Sequence, residues 1–113
     1  FIGEANLFKG RRTGQVIETA CGIGFADTGP EGEIALVVRP ESVRRLAPSE
    51  HAEIETTGTV EELVFLGAHV RYVLSLSSGE RLQVQDPVEQ PRAAIGDAMR
   101  VGWSRAAQRI IAA

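Results

Sequence analysis

The chain has 113 residues, 43% of them hydrophobic, with 12 basic and 15 acidic side chains giving a net charge of −3. That is enough apolar material for one core of ordinary domain size, and the balanced charge argues against the clustered basic surface of a general nucleic-acid or anionic-membrane binder. One cysteine, Cys21, excludes an intramolecular disulfide framework and suits a reducing compartment, and no apolar run reaches the roughly 20 residues that span a bilayer.

In chain order, residues 1–8 form an apolar strand or irregular lead-in. Phe1 is not an initiator methionine, so the chain is expected to be a fragment of a longer protein. Lys9, Gly10, Arg11, Arg12, Thr13 and Gly14 read as a basic turn, and residues 15–19 as a strand. After a glycine-marked segment around Cys21, residues 27–32 (DTGPEG) are a loop, because Asp, Gly and Pro punctuate together. Residues 33–38 rise into an apolar strand that stops at Arg39-Pro40, since proline cannot donate to a ladder. Pro40 then starts a single helical turn over Glu41, Ser42 and Val43. Residues 46–57 read as a surface loop leading into a strand boundary.

Residues 58–86 are the organising stretch. Val60, Val64 and Leu66 form one period-2 series and Leu63 and Phe65 the other, which predicts a first strand buried on much of both faces. Val70, Tyr72, Leu74 and Leu76 alternate with His69, Arg71 and Ser75; Leu82 and Val84 alternate with Arg81, Gln83 and Gln85. This is the pattern of an antiparallel meander with one core face and one wetter face, with Gly58 and Gly67 as corner positions. Asp86-Pro87 closes it. Residues 88–95 are a loop, Gly96-Asp97 a turn, and residues 98–103 a short strand ending at Trp103. Ser104 is a candidate N-cap for one turn, and Ile110 and Ile111 mark a terminal strand, with a helix over 106–113 as the alternative. Seven or eight short strands between glycine, proline and serine punctuation fit a small barrel or sandwich.

The chemistry-bearing residues are sparse. Lys9, Arg11 and Arg12 are possible anion contacts, since arginine forks match oxyanion geometry, beside the plainer reading of solvated turn charge. No metal site is expected, because His51 and His69 stand apart and no Cys-x-x-Cys exists. Ser75, His69 and Asp86 could be assembled into a triad on paper, but no nucleophile elbow surrounds a serine. The adjacent Glu61 and Glu62 point opposite ways on a strand and suit no carboxylate dyad. No glycine-rich loop ends in Gly-Lys-Ser/Thr, so the chain carries no phosphate cradle and no catalytic residue is assigned. Tyr72 and Trp103 read as packing residues, not stacking platforms.

Four pieces of the chain, in order, carry a family resemblance: FIGEANLF followed by Gly10; VRPESV at 38–43; GTVEELVFLGAHVRYVLSL at 58–76; and Gly96-Asp97 leading into Val101, Gly102 and Trp103. The chain resembles the transport-associated oligonucleotide/oligosaccharide-binding (TOBE) domain at the C-terminal end of ATPase subunits of bacterial ABC importers. It is most similar to the branch serving spermidine/putrescine and ferric-iron uptake, related to the maltose-importer ATPase. The resemblance implies that residues 1–113 are a single all-β domain, a small OB-like barrel of seven to eight strands built from non-contiguous segments. The strand at 33–38 and a late strand near Trp103 would then share a sheet. It implies a regulatory and structural role, not an enzymatic one, with ATP and Mg confined to a preceding nucleotide-binding domain of the full-length protein. It also implies a homodimer, permease subunits as partners of the full-length protein, no nucleic acid, and a cytoplasmic position at the inner face of the membrane. The family's Arg-Pro-Glu falls on Arg39, Pro40 and Glu41, which with Trp103 become interface or structural candidates. The chain departs from the family at Ser104, Arg105, Ala106 and Ala107, where relatives often carry a Pro-Glu-Asp-like turn. Two other readings remain: a small-ligand or oxyanion sensor, and a free-standing nucleic-acid binder.

Overall fold

The computed structural model describes residues 5–112. They form ten strands: β1 Asn6–Thr13, β2 Val16–Thr19, β3 Gly24–Ala26, β4 Gly32–Val38, β5 Arg44–Arg45, β6 Ile54–Phe65, β7 His69–Ser75, β8 Arg81–Pro87, β9 Ala98–Trp103 and β10 Gln108–Ala112. These make two five-stranded antiparallel sheets, ordered β10-β4-β1-β2-β3 and β5-β9-β6-β7-β8. The expected single barrel of seven to eight strands is therefore corrected. The second sheet curls into a half-barrel, and the first is a separate layer. Non-contiguous assembly holds: the strand over 33–38 shares a sheet with the late strand β10, which follows Trp103 in the chain, while the strand that carries Trp103 lies in the other sheet.

The alternation that marks each strand is realised in burial. In β7 the side chains of Val70, Tyr72 and Leu74 are buried, and in β8 those of Leu82, Val84 and Asp86, with half-buried residues between them. One apolar core joins Phe8, Ile17, Leu36 and Val38 from the first sheet to Val60, Tyr72, Leu74, Val84, Val101 and Trp103 from the second. Each such burial contributes on the order of 1.5–3 kcal/mol before chain entropy is set against it.

Two expectations fail locally. The basic turn at 9–14 is mostly strand: β1 runs through Thr13 and only Gly14 and Gln15 turn. The loop at 46–57 already contains the start of β6, which is 12 residues long. That strand changes partners along its length: residues 54–59 pair with β9 and residues 59–65 with β7, with a bulge between Val60 and Glu62. Beyond the bulge Leu63 still packs on the core, but Val64, Phe65 and Leu66 are exposed, so the strand is not buried on both faces. The run outreaches the core that would cover it.

Glycine has two distinct uses here. Gly67 turns the β6–β7 hairpin at φ 80°, in the left-handed region. Gly58 lies inside β6, where a Cβ would come 2.8 Å from Leu74 Cβ; it permits close strand approach, not a corner. Pro40 opens a 3₁₀ turn over Pro40–Ser42, as expected. Arg105–Ala107 is a second 3₁₀ turn, but the Ser104 hydroxyl makes no capping bond. The segment after it is strand, which removes the helical alternative.

Candidate functional site

The residues singled out by sequence do not converge on one site. Lys9 and Arg11 are exposed on the outer face of β1, where Arg11 lies directly opposite Glu18 on β2 and Glu33 on β4. Arg12 belongs to the other face and is committed internally: Nη2 lies 2.5 Å from Asp27 Oδ2, and Nη1 donates to Pro30 O at 3.1 Å. In the Arg-Pro-Glu turn Pro40 is buried while Arg39 and Glu41 are exposed. Trp103 is 1% exposed and its Nε1–H donates to Gln108 Oε1 at 2.8 Å, which makes it a packing residue that ties β9 to β10. Ser75 and His69 stand six positions apart on β7 with the buried Asp86 on the neighbouring strand, so no triad forms. Among the described residues, no group of three or more His, Cys, Asp or Glu side chains could hold a metal ion.

The polar chemistry that the fold does concentrate lies at the seam of the half-barrel, where β5 and β8 are the terminal strands of one sheet. Arg45 reaches across it. Its Nη1 donates to Pro91 O at 2.6 Å, its Nη2 donates to the Tyr72 hydroxyl at 3.1 Å, and its Nη2 lies 3.2 Å from Asp86 Oδ2. The Tyr72 hydroxyl also accepts the Ala93 N–H at 3.1 Å, so Arg45 and Tyr72 together hold the 88–97 loop on the barrel end. Asp86 is 5% exposed, and its Oδ2 and Arg45 Nε have no hydrogen-bond partner among the described residues. Burial pushes the Asp86 carboxyl above the usual carboxylate range, and the Arg45 charge opposes that shift only in part.

A second polar device joins the two sheets. The buried Asn6 side chain donates to Gln83 O at 2.9 Å and accepts the Gln83 N–H at 2.7 Å, imitating a ladder pair on the free edge of β8. Arg100 organises the 46–53 loop: Nη1 donates to Ala47 O at 2.8 Å and Nε to Glu55 Oε1 at 3.2 Å. Glu55 accepts the Ala52 N–H at 2.8 Å, which lowers its pKa first of all, with Arg100 and His51 adding to the shift against some desolvation.

Sequence reading met Asp86 only as the close of the meander and as a member of a paper triad, and gave Arg45, one of a basic pair with Arg44, and Asn6 no role. A signal existed for the carboxylate, because Asp86 continues the buried phase of Leu82 and Val84 and a charge on a core phase needs a partner. Its partner, forty-one residues earlier on a two-residue strand, had none. Two open clefts of about 530 and 520 Å³ lie on the surface, one lined by Ser42, Arg44, His51 and Glu53, the other by Lys9, Arg11, Glu18 and Glu33. Both mix cations with carboxylates, so neither presents a field of one sign.

Comparison with known proteins supplies the family. The TOBE domain profile matches residues 36–111. The spermidine/putrescine import ATP-binding protein PotA of Trichodesmium erythraeum is 31% identical over 123 residues, covering 93% of this chain and 32% of that protein. PotA 2 of Pseudomonas aeruginosa is 37% identical over 84 residues, covering 68% and 23%. The uncharacterized ABC transporter ATP-binding protein YdcT of Escherichia coli is 32% identical over 110 residues, covering 93% and 28%. The chain thus spans about a quarter to a third of the length of these relatives. In fold it matches the molybdate-bound structure of the cytoplasmic molybdate-binding protein ModG at TM-score 0.73, with 99% of both chains covered and 17% identity, a likeness of architecture alone. On the family match and the relatives together, this chain belongs to the TOBE domain family.

Proposed function

We propose that the chain is the C-terminal regulatory and dimerisation domain of an ABC importer's ATP-binding subunit, of the polyamine-importing kind. The observation that carries this reading is the similarity to spermidine/putrescine import ATP-binding proteins across 93% of the chain, together with the family match. ATP, Mg and the permease subunits belong on this reading to the longer protein. That protein would sit on the inner face of the membrane, and no described helix is long and apolar enough to cross a bilayer. The domain's contribution is mechanical: it packs beside its own copy and so sets how two ATP-binding subunits meet. Arg39, Pro40 and Glu41 fit a supporting role, since the buried proline anchors a turn that presents the two charges to solvent. Light scattering on the chain at tens of micromolar tests this directly. A dimeric mass supports the reading, and a monomeric mass overturns it.

A second reading has one observation behind it, the architecture shared with a molybdate-binding protein. It makes the domain an oxyanion or small-solute sensor, for which Lys9 and Arg11 are the available cations. Arg12 is already paired with Asp27, and Arg11 is flanked by two glutamates, which weakens the site electrostatically. Calorimetric titration with molybdate, sulfate and spermidine distinguishes the readings: heat on anion addition that is lost in K9A/R11A favours the sensor.

A further inference from the structure

We infer that the dimer forms edge to edge through the outer half of β6, with a second copy of this chain pairing antiparallel to residues 61–65. The inference rests on the dimerisation reading above and adds which surface performs it. Three observations lead to it. Past Thr59, β6 has a strand neighbour on the β7 side only; the loop on its other side forms backbone bonds with Val60 alone, through Gly96 N–H and Asp97 O. This open edge carries the densest exposed apolar group on the described surface, Val64, Phe65 (58% exposed) and Leu66, with Ile95 (67%) on the adjoining loop. An unpaired, apolar strand edge is a template for another strand, and two identical edges related by a two-fold axis close after one pairing.

Charge selects the register. If the two-fold passes through Leu63, Glu62 of one copy faces Val64 of the other. Val64 already faces Arg71 across the β6–β7 ladder, so each Glu62 enters a row that ends on the second copy's Arg71. Glu61 in turn comes opposite Phe65 of the second copy, over whose ring Arg92 lies at 4.7 Å. No glutamate then faces its own mate, whereas a centre at residue 61 or 62 would oppose like charges directly. The bulge between Val60 and Glu62 ends the paired segment by bending the strand away. The outer face of β1, β4 and β10 also exposes Leu7 and Ile111, but they lie on two different strands that flank β4, and neither adjoins a second exposed large apolar side chain on its own strand.

Sedimentation of the chain, wild type against V64K/L66K and against L7K/I111K, tests the surface. All four altered side chains are exposed, and thermal unfolding verifies that each variant folds. The expected result is a dimer weakened roughly tenfold or more in V64K/L66K and unchanged in L7K/I111K. The register is tested by oxidising an equimolar mixture of E62C and V64C, in which the buried Cys21 leaves only the new thiols accessible. The mixture should cross-link and each variant alone should not, because directly opposed residues meet disulfide geometry. A wild-type dimer that survives V64K/L66K, or a mixture that fails to cross-link, overturns this inference and leaves the dimerisation reading standing. A monomeric wild type overturns both.

Discussion

The Asn6–Gln83 clamp and the Arg45–Asp86 seam solve the same problem with opposite chemistry. Each is a buried polar contact that links strands with no ladder between them, and each closes a gap at the edge of β8. The clamp is neutral and satisfied in both directions, by bonds of 2.9 and 2.7 Å. The seam is ionic: its 3.2 Å contact leaves Asp86 Oδ2 outside any directed hydrogen bond, and its carboxyl is pushed toward the neutral form. A satisfied amide adds stability that ignores pH. A buried charge pair is worth little against its desolvation, yet breaking it is costly because the surviving ion stays buried.

The largest test of that contrast is Arg45→Met. It strands Asp86 in the core and also releases the Pro91 and Tyr72 contacts, so urea unfolding at neutral pH should show a loss of about 3–5 kcal/mol. The loss should shrink on acidification, when Asp86 takes a proton instead of needing a cation. Asn6→Leu comes next, at about 2 kcal/mol, because the Gln83 N–H and carbonyl lose their partners together. This loss should be equal at pH 5 and pH 8, and a clear pH dependence would break the distinction between the two devices.

Asp86→Asn isolates the ionisation itself. The folded state holds the Asp86 proton more tightly than the unfolded chain does, so this group's contribution is full at low pH. It falls as pH rises from the unfolded carboxylate range through the raised folded value. The variant should lie within about 1 kcal/mol of wild type at neutral pH and lack that falling component. Glu55 supplies an internal contrast, since its lowered pKa adds stability above the unfolded value and loses it as pH drops. The difference between wild type and Asp86→Asn cancels it. Smallest of all, Lys9→Ala and Arg11→Ala should each change stability by less than about 0.5 kcal/mol in the same unfolding assay.

Much of the fold was legible from period-2 alternation, and the reason is local. A strand with one face on a core must alternate, so β4, β7, β8 and β9 could be placed within a residue or two, and Tyr72 and Trp103 assigned to packing. The errors share a different cause. The basic residues of β1 look like a turn because Gly10 and Gly14 bracket them. In fact Gly10 sits where a Cβ would come 2.6 Å from the Glu18 carbonyl oxygen, a demand made by the neighbouring strand. The two-residue β5 is too short to alternate at all. In β6, apolar residues beyond the bulge look buried because hydrophobicity alone cannot distinguish a core face from an uncovered edge.

By itself, then, the chain determined that the domain is all-β and where most of its turns fall, though not the one read at 9–14; those properties follow from side-chain periodicity and backbone constraints at glycine and proline. The tertiary structure alone decided that there are two sheets and not one barrel, that Arg45 faces Asp86 across forty-one residues, that Arg12 is consumed by Asp27, and that β6 ends in an open edge. Pairing between distant strands depends on which edges meet in space, and two residues far apart in sequence carry no local sign of each other.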